Sequence, residues 1–224
     1  MSWLGETTAR AGSNGVNGYV IGTAIFGSVL AALVWMQVAA KRFHPALYWA
    51  TIIGSTMAGK TLADFTTRSL GIGYVGGSLI LFGFVLASLL IWKSELGSIA
   101  VEAVHEPRAE LFYWLTITFS QTLGTALGDW IADGPLGYLG SAAIFSALLG
   151  LVALAYWRTA ISRTGLFWAA FILTRPLGAV VGDFLDKPVS HGGLELSRLG
   201  ASLVLTAAIV TLVLVLPKRA ASKV

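Results

Sequence analysis

Three aspartates recur at one place in a repeated pattern. Asp64, Asp129 and Asp183 each close a short string, Gly59-Lys-Thr-Leu-Ala-Asp64, Gly124-Thr-Ala-Leu-Gly-Asp129 and Gly178-Ala-Val-Val-Gly-Asp183. A tryptophan stands fifteen residues before each: Trp49, Trp114 and Trp168. Eight residues before each aspartate stand Thr56, Gln121 and Arg175, and Lys60 lies four before Asp64, at ion-pair spacing. Positions i, i+4 and i+8 of a helix fan over about 80°, so each such helix presents one polar stripe. Carboxylates, hydroxyls and amides repeated in this way suit a hard cation or a proton, and the absence of cysteine removes thiolate sites and a cysteine nucleophile. The same residues allow a purely structural network, with Lys60 paired to Asp64 and Arg175 to an aspartate of a neighbouring repeat. They also allow a carrier of a small anionic or organic solute, with Lys60 and Arg175 as the binding charges.

A second cluster follows the third string. Asp183, Asp186, His191 and Glu195 offer oxygen and nitrogen ligands to a divalent ion, although a solvated turn is the plainer reading. No HExxH, GxSxG or paired Ser–His is present, which argues against an enzyme, and nothing calls for a cofactor.

The elements that must position these groups are membrane helices. Hydrophobic residues make up 56% of the 224 and charged residues only 12%, about half the share in a soluble globular chain. Ala11–Ala40, Gly71–Trp92, Pro135–Trp157 and Leu199–Leu216 carry no charge, and a run of about 18 apolar residues suffices to cross a bilayer. The whole chain therefore reads as one all-α, polytopic transmembrane bundle. Its seven expected spans lie near 17–40, 46–66, 73–92, 111–131, 137–157, 165–185 and 199–216. A soluble enzyme and a nucleic-acid module are excluded, and the net charge of +4 points to a lipid surface. The loops divide nine basic residues (Lys41, Arg42, Lys93, Arg108, Arg158, Arg163, Lys218, Arg219 and Lys223) against four (Arg10, Arg68, Lys187 and Arg198). That asymmetry puts the first set and the C-terminus in the cytoplasm. Trp35, Trp92 and Trp157, with Tyr48–Trp49, Tyr113–Trp114 and Phe167–Trp168, then form an aromatic belt on the inner side. Residues 93–110 read as a solvated cytoplasmic loop.

The repeat extends beyond the aspartates. Gly73-Tyr-Val-Gly-Gly-Ser78 and Gly137-Tyr-Leu-Gly-Ser141 open second helices, and Gly18-Tyr-Val-Ile-Gly22 matches them. Two-helix units thus occupy 46–94, 110–159 and 165–216, while 1–43 holds the second half of another. In that first unit Gly5 occupies the glycine slot, Glu6 the Lys60 slot and Arg10 the aspartate slot, so Glu6 joins the candidate polar layer. Each unit starts inside, so the repeats are parallel and not inverted. Gly59 with Ala63, Gly124 with Gly128, and Gly178 with Gly182 are small-xxx-small pairs that permit close helix approach. Pro176 should kink its helix beside Arg175.

These tryptophan slots, glycine-to-aspartate strings and Leu173-Thr-Arg-Pro-Leu-Gly-Ala179 resemble a bacterial inner-membrane family of tandem two-helix repeats of unknown function. The resemblance implies four repeats per chain and multi-pass insertion in the inner membrane, and it implies no activity. The departure is the first helix of the first repeat, and a homodimer that completes the bundle is one consequence of it. From the residues themselves, the leading expectation is a transporter or channel for a small hard cation or protons. The runners-up are an assembly protein whose polar layer only fixes packing, and the solute carrier named above.

Overall fold

The chain's computed structural model describes residues 15–40, 44–69, 72–100 and 106–215. Glu6 and the rest of the first partial unit before Gly15 lie outside them, as do Glu102, His105 and the basic C-terminal tail. The described residues form an all-α bundle of seven helices: α1 (Gly15–Ala39), α2 (Pro45–Asp64), α3 (Gly73–Leu96), α4 (Pro107–Ala132), α5 (Gly137–Arg158), α6 (Arg163–Asp186) and α7 (Arg198–Val215). Each expected span finds its helix within a few residues. Proline at the first turn of α2 and α4 suits a position whose N–H needs no intrahelical partner. Gly73 and Gly137 open α3 and α5 with φ of +66° and +58°. Glycine takes that left-handed conformation at little cost, which explains the repeated Gly-Tyr openings. Helix α6 runs unbroken through Pro176.

Four helices, α1, α3, α5 and α6, are long and apolar enough to cross a membrane. This is a membrane protein. Helices α2 and α4 are more polar because they supply the interior. Buried on α2 are Thr51, Gly54, Ser55, Ala58, Gly59, Thr61, Ala63 and Asp64, whereas α5 buries only Ser141 and Phe145. Helices α2 and α4 therefore supply much of the core, with Leu81 and Val85 of α3 packed into it, whereas α5 lies mostly outside it.

Contacts give the topology. Between α2 and α4 the partners Tyr48–Tyr113, Thr56–Gln121 and Lys60–Asp129 are separated by 65, 65 and 69 residues. A nearly constant offset means that the two helices run in parallel. Helices α4 and α6 do likewise, since a Cβ on Gly124 would meet Pro176 and one on Gly128 would meet Ala179. By contrast, α3 and α4 run antiparallel: Trp92 stacks on Phe112, Ser88 meets Thr116, and Phe84 stacks on Phe119. The repeats are parallel, as expected.

The packing unit is offset from the sequence repeat. Helix α1 packs on α2, α3 on α4 and α5 on α6, so each second helix lies against the first helix of the next repeat. Within its own repeat, α3 meets its predecessor chiefly through a π-helical turn, Phe65–Ser69, that extends α2. Hydroxyls of Thr66 and Thr67 bond back to carbonyls three and four residues earlier in that turn. Such back-bonding perturbs a regular helical ladder.

The aromatic belt needs correction. Trp35, Trp49 and Trp157 are 72%, 62% and 77% exposed, as membrane anchors would be, but Trp92, Trp114 and Trp168 are at most 2% exposed. Trp114 packs on Tyr48 and Tyr113, and Trp92 packs edge-on against Trp168. These rings lock the starts of α4 and α6 to their neighbours, because packing in the interior buries their large apolar area. The indole of Trp168 donates to the carbonyl of Ile99 at 3.0 Å, which ties part of the expected solvated loop to α6.

Candidate functional site

Two polar layers join α2 to α4. In the first, the Thr56 hydroxyl lies 2.6 Å from Gln121 Oε1, and Gln121 Nε2 donates to the buried Ser55 hydroxyl. The slots eight residues before Asp64 and Asp129 thus meet across the helix junction. One turn further on, the Lys60 ammonium donates to Asp129 at 2.8 Å and stands 3.6 Å from Asp64. The i,i+4 partner expected for Lys60 is therefore its longer contact, and the aspartate of the following repeat holds it more closely. Lys60 is 27% exposed at its side chain and the two carboxylates 10% and 11%, so the cluster has little water to screen it.

The third repeated aspartate is arranged differently. Asp183 is half-buried and, among the described residues, makes no ion pair. It lines a cleft of about 290 Å³ with Thr56, Lys60, Thr125 and Asp129. Asp186 stands at the same wall, and Gly178 and Gly182 form its floor on α6. The carboxylates face the bundle or this cleft, as a desolvated carboxylate in a membrane protein should.

Arg175 does not join them. Its guanidinium lies over the Phe171 ring at 4.8 Å, and it makes no ion pair with Asp64, Asp129 or Asp183. Its slot falls where α4 and α6 are closest, with its Cβ against Gly124, so the side chain is turned along its own helix. The expected Arg175–aspartate pair is replaced by a cation–π contact.

Nor do the candidate metal ligands converge. Among the described residues no group of three potential ligands could hold an ion. Asp183 and Asp186 belong to α6 and the cleft, whereas Glu195 lies within reach of the Val189 amide at 3.5 Å and so serves the turn. The side chain of His191 lies outside the described residues.

The glycines divide too. A Cβ on Gly59 would sit 3.3 Å from Thr122, and one on Gly128 would sit 3.3 Å from Ala179. Gly124 is tightest, against Arg175 and the Pro176 ring. At Gly178 and Gly182, however, a Cβ would meet nothing described within 4 Å, so they are not packing glycines among the described helices.

A family model for a Repeat of Unknown Function (DUF347) matches residues 47–95, 112–162 and 166–220. The chain belongs to this family. No curated protein and no solved structure matches it. Each DUF347 repeat here supplies two successive helices, and the matched bounds fall within a few residues of the two-helix units read from the sequence. Sequence reasoning missed two members of the DUF347 polar core, Ser55 beside Gln121 and the Tyr48–Tyr113 hydroxyl pair at 3.2 Å. The tyrosine pair was findable, since Tyr48 and Tyr113 precede their repeat tryptophans in the same register.

Proposed function

We propose that this protein translocates a small hard cation or protons, with the Asp64–Lys60–Asp129 cluster and Asp183 as its binding layer. One observation carries the reading: an ammonium is held between carboxylates of successive repeats at the wall of an open cleft. A group of carboxylates that already holds a cation is chemically suited to exchange it. A proton or metal cation arriving at Asp129 competes with Lys60, and protonation of Asp129 would release the ammonium toward Asp64. Asp183, which makes no ion pair among the described residues, is the carboxylate from which an ion could approach. Oxygen ligands favour a hard ion over copper or a thiolate-bound metal. The protein works as a carrier or channel and not as an enzyme. It sits in the bacterial inner membrane, with the tryptophan ends of α2, α4 and α6 and the C-terminus on the cytoplasmic side, where basic residues are in excess.

The Thr56–Gln121–Ser55 layer favours a second reading, in which all of these bonds only fix helix register. The solute-carrier reading is less favoured, because Lys60 lines the cleft and Arg175 is not among its lining residues. Asp183→Asn separates the first two readings more cleanly than a change at Asp129, whose loss would also strip Lys60 of its nearer partner. In proteoliposomes, flux would be followed with a pH-sensitive dye and with Na⁺, K⁺, Mg²⁺ and Mn²⁺ in turn. Flux that falls at least tenfold in Asp183→Asn, with an unchanged melting temperature, is the expected result. No flux of any of these ions through the unmodified protein, or unchanged flux in the variant, makes the structural reading the better account.

A further inference from the structure

A hard ion at Asp183 uses only one end of the cleft. On α2 the lining runs from Ile53 through Met57 to Lys60, and on α6 from Gly178 to Asp183 and Asp186. These helices run in parallel, so the charges gather at one end and the apolar wall extends about 10 Å away from them. Phe26 of α1 and Leu205 of α7 add to that wall. The volume of about 290 Å³ also far exceeds the ~10–15 Å³ that holds one water. An amphipathic cleft of this size suits an amphipathic ligand, and the repeat indicates its charged group. Lys60 stands four residues before Asp64 on α2 and sets its ammonium 2.8 Å from Asp129, the aspartate of the next repeat. In the same slot α4 carries Thr125, and the next aspartate, Asp183, shares the cleft with it. Asp183 thus occupies the place of Asp129 without a lysine in the preceding slot, and it makes no ion pair among the described residues.

We propose that the cleft binds small primary alkylammonium ions, with the ammonium at Asp183 and the alkyl chain laid past Gly182 and Gly178 toward Ile53 and Met57. Such a ligand presents from solution what Lys60 presents on a tether, an unbranched apolar stem ending in three N–H donors. Charge favours it, because one ammonium and three carboxylates line the cleft. Shape favours it too: a Cβ on Gly178 or Gly182 would meet nothing described within 4 Å, so α6 leaves that side of the cleft clear for a chain. An alcohol or a carboxylate of equal length gains the apolar wall and loses the charge. Bound there, the alkylammonium competes with the transported ion for Asp183. The competition rests on the transport reading, whereas the binding does not.

Calorimetric titration of the purified full chain in detergent tests the binding, with ethyl-, butyl- and hexylammonium chloride at neutral pH and low salt. Affinity should rise about fourfold per methylene along the apolar wall, and hexanol and hexanoate should give no saturable binding. Asp183→Asn should weaken hexylammonium at least tenfold. Thr125→Lys, which offers Asp183 a tethered ammonium, should weaken it severalfold. Gly178→Leu fills the apolar end and should weaken hexylammonium at least tenfold while leaving ethylammonium unchanged. Three variants on two helices guard against the misfolding of one, and melting curves show which are folded. Hexanol that binds as tightly as hexylammonium, or hexylammonium that binds alike to all folded variants, overturns the proposal in favour of partition into the micelle. Proteoliposome flux separates it from the transport reading. Ion flux without alkylammonium binding overturns this inference alone, and binding that depends on Asp183 without ion flux upholds it while overturning transport.

Discussion

The two junctions of the core solve one problem in two ways. Helices α2 and α4 are joined by side chains: Thr56 to Gln121, Gln121 to Ser55 and Lys60 to Asp129. Helices α4 and α6 run in the same relation, yet their closest approach is steric, with Gly124 under Pro176 and Gly128 under Ala179. The repeat fixes the register, and the residue in each slot decides whether polar bonds or close packing hold it. Within a bilayer neither device is driven by hydrophobic burial, since lipid is as apolar as leucine. The junctions should therefore fail differently, the first through unpaired charge and the second through bulk.

The largest effect belongs to the charged layer. Lys60→Met removes the one cation that, among the described residues, pairs with both carboxylates. Breaking a buried pair costs about 3–5 kcal/mol, and the partial exposure of Lys60 puts this case near the lower end. The melting temperature in detergent should fall sharply, and adding Asp129→Asn should recover much of the loss. A fall that the second change does not relieve would mean that Lys60 acts through its stem and not its charge.

At the steric junction, Gly124→Val drives a branched side chain into Pro176 and the Arg175 stem. Overpacking of this kind costs about 1–3 kcal/mol. Gly83→Val is its control, because Gly83 lies on the exposed face of α3 and a Cβ there meets nothing within 4 Å. Equal melting temperatures for the two variants would remove the distinction between packed junction and exposed face at these positions.

The division of labour between these helices was only partly legible in the sequence. Helix number, bounds and parallel repeats follow from charge-free runs and from spacing, because hydropathy and periodicity are local properties. Lys60 and Asp64 were legible as neighbours for the same reason. Their closer relation to Asp129 was not, since it depends on the stagger between two helices, which a single repeat does not encode. Arg175 shows the limit most clearly. Its slot matches Thr56 and Gln121, but Gly124 lets α6 approach so closely that the guanidinium has to lie along its own helix over Phe171. The buried tryptophans were misjudged on similar grounds, because a ring at a helix end packs inward or outward according to which helix comes next.

A smaller effect is expected in the neutral layer. Thr56→Val keeps the shape and removes the hydroxyl from Gln121 Oε1, while the Gln121 amide keeps its bond to Ser55. A neutral hydrogen bond contributes about 0.5–1.5 kcal/mol. A modest drop in melting temperature should result, and it should vanish in a Gln121→Leu background. Persistence of the drop there would assign it to the helix backbone and not to the layer.

The finest test tries to convert one junction into the other. Thr125 occupies on α4 the slot that Lys60 occupies on α2, four residues before the aspartate. Since Lys60 reaches the aspartate of the following repeat, a lysine at 125 should reach Asp183 by the same stagger, and both residues already line the cleft. The cleft is open, so the gain is that of a partly solvated pair, about 0.2–1 kcal/mol. Thr125→Lys should therefore raise the melting temperature slightly, and the rise should disappear when Asp183→Asn is added. The coupling between the two changes, and not the rise alone, is the quantity that counts, because a lysine could also gain from Asp129 on its own helix. Zero coupling would mean that the α4/α6 stagger differs from that of α2/α4 at this level, and that the charged layer belongs to one junction by geometry and not by the accident of which residue fills the slot.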